Sequence, residues 1–150
     1  MSTLSNSALN RVLIDLGRSF LQYISDAWPW VDPQAQSVQD QVMVISARQR
    51  QDVADIVALL NDREQHIDFG TFPTEYTDLQ FLALDSIFDM LHKSQSIVCG
   101  SIAQGISEAT AASDSEAVDL LMAVQIRQNE ASASLKELHA ELTKKSAPVA

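Results

Sequence analysis

What most constrains this 150-residue chain is the spacing of its apolar residues. Phe81, Leu84, Phe88, Leu91, Val98, Ile102 and Ile106 recur at steps of three, four or seven, the repeat of one helix face. Val38, Val42, Ile45, Ile56, Leu59 and Leu60 form a second such stripe, and Val118, Leu121, Val124, Ala131, Leu135, Leu138 and Leu142 a third. Ala8, Val12, Leu13, Leu16, Phe20, Tyr23, Ile24 and Ala27 make a fourth. The spacing predicts helices over about residues 5–27, 33–63, 78–111 and 114–144. Three of them have about 30 residues and would be roughly 45 Å long. Four Gly and four Pro leave little turn material for a β-sandwich or barrel. The expectation is an all-α chain folding as one domain over 1–150.

The punctuation supports those limits. Trp28-Pro29-Trp30 stops the first helix, because Pro has no amide to donate and restricts the residue before it. Asp32-Pro33 starts the second, with Asp as N-cap and Pro at the first helical position. Thr77-Asp78-Leu79-Gln80 reads as a capping box, with Tyr76 and Phe81 as its apolar staple, and Ser113-Asp114-Ser115-Glu116 as another. Gly100 and Gly105 in the third helix predict a bend or a close helix contact. Residues 64–76 do not follow the helical pattern. About 13 residues can reach at most about 43–47 Å, just enough to run the length of such a bundle. A crossover of that kind makes the second and third helices parallel. The alternative is a surface loop joining antiparallel neighbours.

Charge excludes several roles. Twenty acidic residues against ten basic ones give a formal net charge of −10. The Lys and Arg residues are scattered, which argues against nucleic acid and against anionic membrane surfaces. No apolar run reaches the roughly 18–20 residues of a membrane span. The first residues lack the basic and apolar regions of a signal peptide, and the single cysteine, Cys99, cannot form a disulfide within the chain. A cytoplasmic location is the expectation. No phosphate loop, nucleophile elbow or Cys-x-x-Cys is present.

Four long helices with one long central crossover resemble the ferritin-like four-helix bundle. The segment Asp68-Phe69-Gly70-Thr71-Phe72-Pro73-Thr74-Glu75-Tyr76-Thr77-Asp78-Leu79 is similar to the connector of bacterial ferritin-like proteins. The resemblance implies a di-iron pattern: Glu on the first and third helices, and Glu-x-x-His on the second and fourth. The chain departs from it. The central carboxylate of the first helix is Asp15, and the second helix carries Gln49-x-x-Asp52. The third has Asp85 and Asp89-x-x-His92, and the fourth has Glu130 with Ala133 where His belongs. On this reading the metal site is degenerate.

Gln49, Asp52, Gln95 and Gln128 interrupt the apolar seams near the helix centres. With Arg48 and Arg127 beside them they predict a polar layer in the bundle core. It reads as a self-satisfied hydrogen-bonded layer, as a small-molecule pocket, or as a metal site. Candidate metal ligands are Asp15, Asp52, Asp85, Asp89 and His92; His66 and His139 read as solvated or capped. Tyr23, Trp28, Trp30, Phe69 and Phe72 read as a cap over the bundle end or as a partner surface. The sequence alone thus predicts a non-catalytic interaction or regulatory module, self-associating, not an enzyme and without a cofactor. Its alternatives are a ferritin-like protein that binds iron or another divalent metal or handles oxygen, and a small-molecule binder using the polar core.

Overall fold

The apolar seams become five helical segments in the computed structural model, which describes residues 3–26, 36–71 and 84–146. They are α1 (Thr3–Gly17), α2 (Phe20–Asp26), α3 (Gln36–Asp62), α4 (Leu84–Ala111) and α5 (Ser115–Ser146). α1 and α2 are one rod broken at Arg18-Ser19, where an unbroken helix over 5–27 is predicted. The break has a local cause. Ser19 acts as N-cap of α2, its Oγ accepting from the Gln22 amide at 3.4 Å. The Phe20 amide, freed from the helical ladder, donates to Ser94 Oγ on α4 at 2.8 Å. Ser19-Phe20-Leu21-Gln22 is itself a capping-box pattern, and the apolar stripe running through it hides it.

Cross-helix pairs fix the topology. On α1–α2, Asn6 meets Arg63 and Gln22 meets Ser46, so this rod is antiparallel to α3. Arg11 meets Glu108 and Phe20 meets Ser94, so it is also antiparallel to α4. α3 and α4 are therefore parallel, and the crossover is the topology the chain adopts. α5 packs antiparallel on both, through Asp114 with Arg63 and Gln128 with Gln95. The result is an all-α four-helix bundle with a long crossover between its second and third rods, the topology that the resemblance implies.

The start of the crossover lies along α1. Asn10 holds Asp68 in two hydrogen bonds, Nδ2 donating to its carbonyl and Oδ1 accepting from its amide, both at 3.0 Å. Gly70 follows with φ of +75°, and a Cβ there would sit 2.9 Å from Ile14 Cγ2. Gly70→Ala should therefore lower stability by about 1–2 kcal/mol, the cost of a left-handed residue plus the clash; a shift in the urea midpoint measures it.

Two apolar cores stack along the axis. One is built on Leu9, Leu13, Leu16, Ile56, Leu60, Ile102 and Leu121, the other on Phe20, Ile24, Val42, Phe88, Leu91, Leu135 and Leu138. Gly105 serves the first by close helix contact, since a Cβ there would lie 3.0 Å from Val12 and 3.2 Å from Leu121. Gly100 meets nothing comparable. The N-cap of α5 is Asp114, not Ser113: its Oδ1 accepts from the Ala117 amide at 3.2 Å, while Ser113 takes a left-handed φ of 55° in the turn. Glu116 points instead to Arg63, at 3.2 Å. The predicted signals at Trp28–Pro33 and Thr77–Gln80 lie outside the described residues. No helix among the described residues is long and apolar enough to cross a membrane.

Candidate functional site

The two cores are separated by a polar belt at the helix centres. α3 contributes Gln49 and Asp52, three residues apart and so on one face. α4 contributes Ser94 and Gln95, α5 contributes Gln128, and the α1–α2 break contributes Ser19; all are buried, Asp52 and Gln49 completely. The hydrogen bonds run in one direction. Ser19 Oγ donates to Gln49 Oε1, which also accepts from Gln22 Nε2 at 3.1 Å. Gln49 Nε2 donates to Gln128 Oε1 at 3.1 Å and, more weakly, to Gln95 Oε1 at 3.4 Å. Gln95 Nε2 donates to Gln128 Oε1 at 2.7 Å, and Gln128 Nε2 donates to Asp52 Oδ2 at 2.7 Å. Arg127 Nε donates to Asp52 Oδ1.

That direction follows from Asp52. An ionised carboxylate only accepts, so Gln128 must present its NH2 group to it. The Gln128 oxygen then faces Gln49 and Gln95, which must present theirs in turn. One carboxylate thereby orients three amides. Burial pushes the Asp52 carboxyl above the usual carboxylate range, against the opposing pull of Gln128 and Arg127.

Outside the belt, between α3 and α5, lies a cavity of about 400 Å³. Gln128 forms part of its wall beside Arg127, with Arg48, Asp55 and Glu130 also lining it. The Arg127 side chain is 39% exposed and its Nη2 lies 3.6 Å from Asp55, so it stands between the cavity and Asp52. Arg48 is exposed at this cavity rather than inside the layer.

The other predicted metal residues do not converge here. Asp15 is partly buried on α1 and outside the belt's hydrogen bonds, and Asp89 is exposed on α4. The Asp85 side chain lies outside the described residues. His92 faces His139 across α4 and α5, its Nε2 3.1 Å from His139 Nδ1. His139, half-buried, is stacked on Phe88. Desolvation, then the neighbouring His139, holds the His92 imidazole below its usual range. Antiparallel pairing of two seams brings these histidines together, a relation invisible until the register of α4 on α5 is known. Among the described residues, no group of three or more His, Cys, Asp or Glu could hold a metal ion. The belt, with one carboxylate whose two oxygens are both engaged, does not fit a resident di-iron pair.

Of the predicted aromatic cluster, Tyr23 packs on Phe20 at 6.1 Å, while Phe69 is 61% exposed. Trp28, Trp30 and Phe72 lie outside the described residues.

A family model, the ferritin-like domain, matches residues 6–145. Solved structures are similar in fold. An iron-soaked variant of PmFTN superposes with a TM-score of 0.81 at 14% identity, covering 98% of this chain and 93% of that one. The apo-ferritin of Pseudo-nitzschia multiseries gives 0.77 at 14% identity, over 98% and 93%. A humanized archaeal ferritin gives 0.77 at 16% identity, over 97% and 88%. No curated protein sequence matches significantly. The family match overturns three sequence-based expectations: a non-catalytic interaction module, no enzyme, and no cofactor. Members of the matched family are typically ferroxidases, and iron is their metal. Loss of one ligand pattern is not by itself loss of an activity class, because iron can meet a protein as substrate without that resident set.

Proposed function

The chain belongs to the ferritin-like domain family, and from that premise we propose that it takes up ferrous iron and oxidises it with dioxygen as the electron acceptor, as a subunit of a homo-oligomer. The observation that carries the reading is the buried carboxylate of Asp52, whose cationic partner is the partly exposed Arg127 beside a carboxylate-bearing cavity. In this reading the guanidinium holds the cation position. Ferrous iron enters from the cavity past Asp55 and Glu130 and exchanges with Arg127 at Asp52. The surrounding amides keep the carboxylate aimed at that position and exclude water from the apolar cores. The net charge of −10 favours cation approach to the surface.

Aerobic loading with Fe(II), followed by iron per chain and the absorbance of ferric product, tests this. The native protein should retain iron above background and oxidise it faster than buffer does. Asp52→Asn should lose at least tenfold in initial rate, whereas Arg127→Gln, which removes the competing cation, should bind iron at least as well as the native protein. An unchanged rate in a folded Asp52→Asn variant, or no retained iron in the native protein, would overturn the proposal. Light scattering on the same samples reads the assembly, and a monomeric mass throughout would remove the oligomeric part.

A further inference from the structure

We propose that His92 and His139 form a second, separate cation site, a two-nitrogen seat for an exchangeable first-row divalent metal on the α4–α5 face. The two rings face each other across α4 and α5, with Nε2 of His92 and Nδ1 of His139 3.1 Å apart. A neutral imidazole has one donor nitrogen and one acceptor, so two neutral rings at this distance can share one proton. The same spacing suits a shared metal. With metal–nitrogen bonds of about 2.0–2.1 Å, the edge between two ligating nitrogens runs from about 2.9 Å at a right angle to about 3.4 Å at a tetrahedral one. A metal placed there replaces the shared proton, with the rings turning within their own planes so that both lone pairs face it.

The rings are held for this. His139 is stacked on Phe88, with centroids 5.0 Å apart and 12° between planes. Phe88 is itself fully buried in the core, which ties the ring's plane to the packed interior. His92 lies 5.3 Å from His139, centroid to centroid, with 33° between the rings. Both histidines are half-buried, leaving one side open to water. Asp89 stands one turn before His92 on α4 and brings negative charge to the open side; Lys136, one turn before His139 on α5, opposes it. Two protein nitrogens leave the remaining coordination positions to water, so the metal exchanges readily. Imidazole donors favour zinc, cobalt, nickel and copper over magnesium or calcium. The site stands on its own geometry and shares no residue with the Asp52 cavity.

Titration of the chelator-stripped protein with Co(II), then with Zn(II), tests it. The chain has three histidines, and His66 lies exposed in the connector as an internal control. The expected result is about one Co(II) per chain at micromolar metal, with paramagnetic broadening of the His92 and His139 ring signals together and before His66. This readout uses the native protein and needs no variant to fold. His92→Gln and His139→Gln should each weaken binding at least tenfold, and Asp52→Asn should not change it. Equal response of all three histidines, no binding at micromolar metal, or native affinity in both histidine variants would overturn the site. Loss of iron oxidation in Asp52→Asn with cobalt binding intact separates this proposal from the preceding one.

Discussion

Replacing Gln128 with Leu is expected to destabilise the bundle by about 3 kcal/mol, because it deprives a buried carboxylate of a donor. Asp52 Oδ2 loses the Gln128 amide, and the side chains of Gln49 and Gln95 lose their shared acceptor. Gln95 retains the backbone carbonyl of residue 128 at 3.2 Å, which limits the loss. For a chain of this length the change corresponds to a fall in Tm of about 6–12 °C. The deficit should depend on pH in a defined direction. Burial already raises the Asp52 pKa above its unfolded value, and losing Gln128 raises it further. A raised carboxyl pKa means that the ionised form costs folding free energy above that pKa, and that the cost disappears below the unfolded value of about 3.9. Urea midpoints at fixed protein concentration should therefore show the native-to-variant gap shrinking as pH falls. The double variant Asp52→Leu/Gln128→Leu should recover the part of the loss that comes from the unpaired carboxylate, while Gln49 and Gln95 remain without their shared acceptor. A midpoint for Gln128→Leu equal to the native one would show that the belt contributes nothing to stability.

The second large effect is expected at Asp114, where Asp114→Ala should cost about 3–4 kcal/mol, in the range for breaking a buried ion pair. Arg63 and Asp114 side chains are only 3% and 7% exposed, and they pair through two hydrogen bonds of 2.7 and 2.8 Å. Asp114 also accepts from Ser5 Oγ at 2.6 Å and caps α5. One carboxylate thus ties α1, the end of α3 and the start of α5 together. Glu116, still within reach of Arg63, softens the loss of charge balance. Arg63 holds the Asp114 carboxyl far below the usual carboxylate range, so its contribution has the opposite pH sign from that of Asp52. It is fully present above about pH 4 and is lost as pH falls from there toward the depressed pKa. Asp114→Asn should flatten that acid limb while leaving the alkaline side level. A native acid limb in Asp114→Asn would show that other carboxylates set it.

Much of this architecture is legible in residue spacing. The seams from Val38 to Leu60, from Phe88 to Ile106 and from Val118 to Leu142 place α3, α4 and α5 directly. Connector length allows the crossover but also a surface loop, and the antiparallel packing of the α1–α2 rod on both α3 and α4 decides for the crossover. The Asp114 cap was off by one residue in the sequence reading because Ser113 and Asp114 are both good N-caps, and only the turn geometry chooses between them. The α1 break was missed because burial of Leu16, Phe20 and Ile24 continues across it and hides the change in backbone. In the polar layer, Gln49, Asp52, Gln95 and Gln128 announce themselves by occupying positions that the seam reserves for apolar groups. Arg48 is equally polar but points to the surface, a difference of one helical step of about 100° that residue type does not encode.

The sequence by itself determined four long amphipathic rods, their order, the reach of the long connector and the polar interruption of their seams. These are local or periodic properties, set by 3.6 residues per turn and by the chemistry of caps and breakers. Only the tertiary structure decided which polar groups meet. The direction of the glutamine chain toward Asp52, the place of Arg127 between that carboxylate and the cavity, the tie of Arg63 to Asp114 and the approach of His92 to His139 all depend on rotation and register between rods. Hydrogen bonds and ion pairs act over about 3 Å, whereas periodicity says only which face a side chain shares. The residue that most organises this site is a single carboxylate, and it acquires that role from where α5 places Gln128 and Arg127 beside it.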